Sequence, residues 1–209
     1  MSSYLITCKI RKKFVLVGDA LTGKSCLTYY FLNDEYVDRV MITPTVVNDY
    51  LTEVHINEKA VALALWDTGG EAINDDLRQF VYPGVDLFLI CFSVDMPSSL
   101  HNVAEKWVPH INKYCPEVPF VVVATKMDKK SHDTSESKLM GLNWKRGHVK
   151  HGIEGKLMAE KIGAAAYFEC SAKVGEGVKE MFHKCVKLVL KEDDTDKHYT
   201  RREYCCVQQ

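Results

Sequence analysis

The apolar positions of this chain fall into short runs of β-branched and aromatic residues, each followed by a turn and then by helical spacing. Residues 13–17 (KFVLV) predict a buried strand and 24–32 the helix after it. Residues 46–56 and 60–66 (AVALALW) predict two strands joined by a turn at Asn57 and Glu58. The runs 86–94 (DLFLICFSV) and 118–124 (VPFVVVA) are continuously apolar, as strands covered on both faces must be. Helical spacing recurs over 98–114, 154–163 and 176–190, and 166–170 predicts a last short strand. Strands alternating with helices imply an α/β fold, a mostly parallel six-stranded sheet with helices on both faces. Such sheets bind ligands at the carboxyl ends of their strands, where the loops gather.

Composition narrows the class. A length of 209 residues suits one domain, and 46% hydrophobic with 26% charged residues is ordinary for a globular one. A net charge of -1 lacks the basic surplus that nucleic-acid binding requires, so no nucleic-acid partner is expected. No apolar run reaches the ~18–20 residues of a membrane-spanning helix, and residues 1–13 have no signal-peptide core. Cys8, Cys26, Cys91, Cys115, Cys170 and Cys185 sit mostly in apolar stretches without CxxC spacing, which predicts free thiols in a reducing cytosol. Residues 191–204 are charged and weakly apolar, and a disordered tail is expected there.

Four motifs fall at the expected loops. Gly18-Asp19-Ala20-Leu21-Thr22-Gly23-Lys24-Ser25 fits GxxxxGK[ST] between a strand and a helix. Such a loop wraps phosphates with backbone N–H groups, its lysine reaches the terminal phosphates and its hydroxyl ligates Mg²⁺. Trp66-Asp67-Thr68-Gly69-Gly70-Glu71 ends an apolar strand with an acid that can hold the Mg²⁺ shell through water. Thr125-Lys126-Met127-Asp128 follows another strand, and its carboxylate can accept two hydrogen bonds from guanine, a pairing adenine cannot offer. Cys170-Ser171-Ala172-Lys173 closes the last strand, where a backbone N–H and the Lys173 stem can line a base pocket.

With these motifs in this order, residues 12–190 resemble the Ras-like small GTPases, and within them the Rho family. The Rho-like phrases are WDT at 66–68, KWVPHINKYCPEVPFVVVATKMD at 106–128 and ECSAK at 169–173. The polar segment 129–151, with Trp144, matches the Rho insert in position; residues 1–11 are a short extension and 191–209 a hypervariable tail. The resemblance implies GTP or GDP and Mg²⁺ as ligands, with two switch segments that respond to the γ-phosphate. It carries nucleotide contacts onto the loop residues and the following Cys26, and onto Tyr36, Gly70, Thr125, Lys126, Asp128, Ser171, Ala172 and Lys173. Thr45, in Thr43-Pro44-Thr45, matches the switch threonine that joins Ser25 on the metal. Switch II is expected from Gly69 to about Tyr82. Catalytic positions are Lys24, Thr45 and Glu71. Effectors, exchange factors, activating proteins and a guanine dissociation inhibitor are the implied partners of a monomer.

The departures bear on turnover. Ala20 stands where most relatives have a second loop glycine, and its Cβ crowds the space of the attacking water and of an arginine supplied in trans. Glu71 replaces the glutamine that orients that water; a carboxylate adds like-charge repulsion and cannot donate the same hydrogen bond. Gly69 replaces the usual alanine, switch I is about two residues longer than in relatives, and Val47 and Ile42 replace aromatic contacts. Binding therefore looks intact and hydrolysis damaged, giving a switch held in its GTP state; an efficiently cycling GTPase is the alternative. A P-loop kinase would need clustered arginines, whereas Arg11, Arg39, Arg78, Arg146, Arg201 and Arg202 are scattered.

The tail ends Cys205-Cys206-Val207-Gln208-Gln209. Cys206 fits a prenylation box by position, although Gln208 is polar where an aliphatic residue is usual, and Cys205 offers palmitoylation. With four basic and five acidic residues over 191–204, a second membrane signal is not electrostatic. The expected location is the cytoplasmic face of the plasma membrane or endomembranes.

Overall fold

The computed structural model describes residues 10–38, 45–71, 75–129 and 153–195. Strands β1 (Ile10–Val17), β2 (Val47–Ile56), β3 (Lys59–Thr68), β4 (Leu87–Ser93), β5 (Phe120–Thr125) and β6 (Ala166–Glu169) form one sheet in the order β2-β3-β1-β4-β5-β6. β2 is antiparallel to β3 and every other pairing is parallel. Helices α1 (Lys24–Asn33), α2 (Asp75–Arg78), α3 (Pro97–Asn102), α4 (Val108–Tyr114), α5 (Ile153–Lys161) and α6 (Val178–Thr195) accompany it, with 3-10 turns at Gln79–Val81 and Met127–Lys129 and a π turn at Val103–Trp107 joining α3 to α4.

The continuous apolar runs resolve into two period-two sets. Phe14, Leu16, Leu87, Leu89, Cys91, Val121 and Val123 pack with Leu27 of α1 and with Val178, Met181 and Phe182 of α6. Val15, Val17, Phe88, Ile90, Phe92, Val122 and Ala124 pack on the other face with Leu100, Val103, Trp107 and Ile111. Each central strand therefore feeds two cores at once, which is why no polar residue interrupts the runs 14–17, 87–92 and 120–124.

Several boundaries differ from the sequence expectation. β1 begins at Ile10 rather than at residue 13, because Arg11, Lys12 and Lys13 pair in register with Ala62, Leu63 and Ala64. Asp86 absorbs the charge: Lys12 Nζ lies 3.1 Å from its Oδ1, and the Lys13 amide donates to Oδ2 at 2.7 Å. β5 starts after Pro119, which has no N–H to give a ladder, although its carbonyl accepts from Phe88 N at 3.1 Å. The 98–114 helix is interrupted by the π turn. Helix α6 runs to Thr195, so the expected disordered segment is helical over its first five residues, 191–195. The β2–β3 turn is as read, with Asn57 and Glu58 both left-handed at φ 44° and 63°, the geometry of a two-residue hairpin.

The cysteines described, Cys26, Cys91, Cys115, Cys170 and Cys185, form no disulfide. No described helix is long and apolar enough to cross a membrane. The insert beyond Lys129 with Trp144, the positions Ile42, Thr43 and Pro44, and Cys8, Cys205 and Cys206 lie outside the described residues.

Candidate functional site

Because β1, β3, β4, β5 and β6 are parallel, their carboxyl ends open on one edge of the sheet. The loops there enclose a cleft of about 630 Å³, within the range of small-molecule sites. Ala20 to Cys26 supply its floor, Thr68 to Glu71 one wall, Tyr36, Asp38 and Thr45 another, and Thr125, Lys126, Asp128, Lys129, Ala172 and Lys173 the far end. Thr22 is a gap in the floor: it is wholly buried, and its hydroxyl donates to the Asp19 carbonyl at 2.9 Å.

The phosphate loop takes its shape from special backbone angles. Gly18 (φ 142°) lies so close to β4 that a Cβ would collide with the Cys91 carbonyl. Leu21 (φ 66°) is left-handed without being glycine, at a cost of about 1 kcal/mol, and its side chain is exposed at the mouth of the cleft. Lys24 is buried, and its Nζ donates to the carbonyls of Gly18 and Asp19, each at 2.8 Å. Burial pushes this ammonium below the usual lysine range, while Asp67, Cys91 and Asp19 pull it back. A second anion, such as a phosphate chain, would favour its charged form further.

Asp67 has no exposed surface, and neither carboxylate oxygen has a hydrogen-bond partner. Burial raises its pKa, opposed by the hydroxyls of Ser25 and Thr45 and by Lys24. Ser25 Oγ and Thr45 Oγ1 are 3.0 Å apart. Two hydroxyls beside a buried carboxylate whose oxygens take no hydrogen bond form a set of hard oxygen donors that fits Mg²⁺. Backbone contacts tie the two walls together, Gly69 N donating to Val46 O at 2.9 Å.

At the far end, Ser171 Oγ donates to Asp128 Oδ1 at 2.6 Å, leaving the other oxygen and remaining lone pairs for a ligand. Met127 N bonds the Cys170 carbonyl at 3.2 Å, locking the two base-side loops together. Thr125 Oγ1 bonds the carbonyls of Thr22 and of Phe92, the latter at 2.9 Å, so the base-side loop is also fastened to the phosphate loop. Lys126 is left-handed (φ 57°) and its Nζ is 3.2 Å from Asp95 Oδ1. Asp95 also holds Lys129 Nζ at 2.5 Å; these lysines and the Ser93 hydroxyl hold the carboxyl below the usual range against the opposing effect of burial.

Of the expected site residues, Gly18, Asp19, Thr22, Asp67 and Ser171 are not on the cleft wall, and act from behind it. Leu27, Asp38, Thr68, Gly69 and Lys129 line it without having been singled out for that role. The sequence reading also missed Asp95, Asn102 and Trp107 as supports. Trp107 stood inside the KWVPH phrase, but nothing local ties it to a loop 88 residues earlier. Arg78 was counted among scattered arginines, yet it is wholly buried and bonds the Gly69 and Glu71 carbonyls, the latter at 3.1 Å. Just beyond it Tyr82 Oη meets His110 Nδ1 at 3.0 Å; burial and the charges of Arg78, Lys106 and Lys113 push that histidine down to about 4, so it is neutral.

Comparison with known proteins agrees with this architecture. The Ras family profile matches residues 13–191. The Rho-related GTP-binding protein RhoB of Homo sapiens is 43% identical over 183 residues, covering 88% of this chain and 91% of that protein. The RhoB proteins of Mus musculus and Rattus norvegicus match to the same extent. A loop of the GxxxxGK[ST] pattern, a buried carboxylate beside two hydroxyls and a serine-braced aspartate thus occur in a chain that is Rho-like through most of its length. The chain belongs to the Rho family of Ras-type small GTPases, the GTP/GDP switches.

Proposed function

We propose that this chain is a GTP-biased switch: it binds GTP with Mg²⁺ in the cleft, hydrolyses it slowly, and recruits effectors while loaded. In this reading the phosphate loop and Lys24 bind the phosphates, and Thr125, Lys126, Asp128, Ser171, Ala172 and Lys173 hold the guanine, with Tyr36 at its edge. Ser25 and Thr45 would hold Mg²⁺ directly and Asp67 through water. Bound there, the cation neutralises charge on the phosphates.

The observation that carries the bias is the pairing of Ala20 with Gly70 and Glu71. Gly70 is packed so tightly against the Asp19–Ala20 peptide that a Cβ on it would collide with the Ala20 amide nitrogen. Ala20 and the exposed Glu71 both line the phosphate end of the cleft. A methyl and an anion therefore stand where a water must be held against another anion.

The nucleotide that copurifies with the full-length chain tests this directly. Predominantly GTP in the supernatant of the denatured protein is the expected result; predominantly GDP would mean efficient turnover and overturn the bias.

The output proposed is actin organisation and cell shape, exerted at a membrane through lipid on Cys205, Cys206 or both. Replacing both cysteines by serine is expected to move most of the chain from the membrane fraction to the soluble one. Unchanged partition would remove the lipid anchor from the proposal.

A further inference from the structure

The aspartate of the phosphate loop turns away from the cleft. Its Oδ2 accepts from Asn102 Nδ2 at 2.7 Å and its Oδ1 from Trp107 Nε1 at 2.8 Å. Asn102 closes α3 and Trp107 closes the π turn that follows. At 3.6 residues per turn, side chains five apart on an α-helix point ~140° away from each other. The i→i+5 bonding of a π turn brings them onto one side, so this interruption of the helix is what lets one carboxylate take both donors.

The same tryptophan meets switch II. The Arg78 guanidinium lies 4.9 Å from its ring centroid, and Arg78 in turn bonds the carbonyls of Gly69 and Glu71. Between those carbonyls sits Gly70, packed on the Asp19–Ala20 peptide. The contacts close a ring from Asp19 through Trp107, Arg78 and Gly70 back to Asp19. Trp107 and Arg78 have no exposed surface, so the contact between them is shielded from water, while the hydrogen bonds to Asp19 and Glu71 are part-buried.

We infer that Asp19 is a positioning residue that couples switch II to the phosphate loop, with Asn102 and Trp107 as its anchors. The inference rests on the reading of the cleft as a guanine-nucleotide site. The Asp19 carbonyl receives Lys24 Nζ, so the residue that presents the phosphate-binding lysine is held by the helix on which switch II leans. Displacing Gly70 and its flanking carbonyls shifts Arg78 over Trp107 and loosens that hold. Switch II thereby sets how tightly the loop retains its nucleotide, separately from any direct contact it makes with the phosphates.

The test is the release rate of a fluorescently labelled GDP from the full-length chain in Mg²⁺, for wild type, Asn102→Ala, Trp107→Phe, Arg78→Lys and the Trp107→Phe/Arg78→Lys double variant. Each single change is expected to speed release about ten-fold, the equivalent of one charge-assisted hydrogen bond. The double variant is expected to release no faster than the faster single one, because both cut the same ring. A purely structural role would make the two effects multiply, and that outcome, or an unchanged rate in Asn102→Ala, overturns the inference. Asn102 is half-buried, so its variant decides the matter even if the Trp107 variant does not fold. A wild-type chain that takes up no labelled GDP overturns the reading of the cleft, and the inference with it.

Discussion

The Ala20→Gly/Glu71→Gln double variant is expected to hydrolyse GTP about a hundred-fold faster than the natural chain, with little change in GTP affinity. The phosphate end of the cleft carries the argument. Ala20 and Glu71 stand on its wall, and Gly70 between them is seated on the loop backbone with no room for a single extra carbon. An attacking water there must be oriented by a neutral group able both to accept and to donate; a carboxylate accepts only, and repels the phosphate oxygens. The Ala20 methyl takes up space beside the same point. Neither residue is needed to hold the phosphates, which in this reading fall to backbone amides and Lys24, so binding is spared while turnover rises. Single-turnover measurement on protein preloaded with GTP separates the cases. A wild-type rate equal to that of the double variant would favour the efficiently cycling alternative.

Asp67→Asn is expected to have opposite effects on the empty and the loaded protein. Stripped of nucleotide and metal, the natural chain buries a carboxylate with no hydrogen-bond donor on either oxygen. Such a group costs about 1–3 kcal/mol to bury unmet. The isosteric amide cannot ionise, so the variant in chelator is expected to be more stable by about 1 kcal/mol, the lower end of that range because the amide is also unsatisfied. With nucleotide and Mg²⁺ the sign reverses. A carboxylate that orients metal-bound water contributes 10–100-fold to affinity by general experience, and retention of nucleotide in Mg²⁺ is expected to fall by about that factor. Thermal melts in chelator and release rates in Mg²⁺ read the two effects separately. A variant less stable than wild type in chelator would show that Asp67 is paid for by contacts within the protein, and the cation reading of the site would fail.

Both expectations begin from residues identifiable in the chain alone, but for different reasons. The phosphate loop, Asp67, Asp128 and the Ser171 segment are short motifs whose chemistry is local: a strand end, a turn and a helix start place them whatever else the chain does. The central strands were legible because a run covered on both faces has no polar interruption. The limits of β1 were not, because Arg11 and Lys12 argue against extending the strand back from Lys13 until Asp86, more than seventy residues later, is found beside the two lysines. The end of α6 was missed for a related reason: charge alone does not stop a helix, and the chain beyond Leu190 was read by its charge.

By itself, the sequence determined the order of strands and helices, the edge of the sheet where the loops gather and the motifs that stand at that edge, because periodicity and motif spacing depend on neighbours in the chain. Only the tertiary structure decided that Asp67 is left unpartnered beside Ser25 and Thr45. It alone showed that Arg78 is buried against Trp107, and that Asp19 is fastened to Asn102 and Trp107 across 83 and 88 residues. Those facts depend on which surfaces meet once the sheet and helices have packed. A charged side chain has the same local signature whether it ends in water or between two cores, and only its final partners tell the two apart.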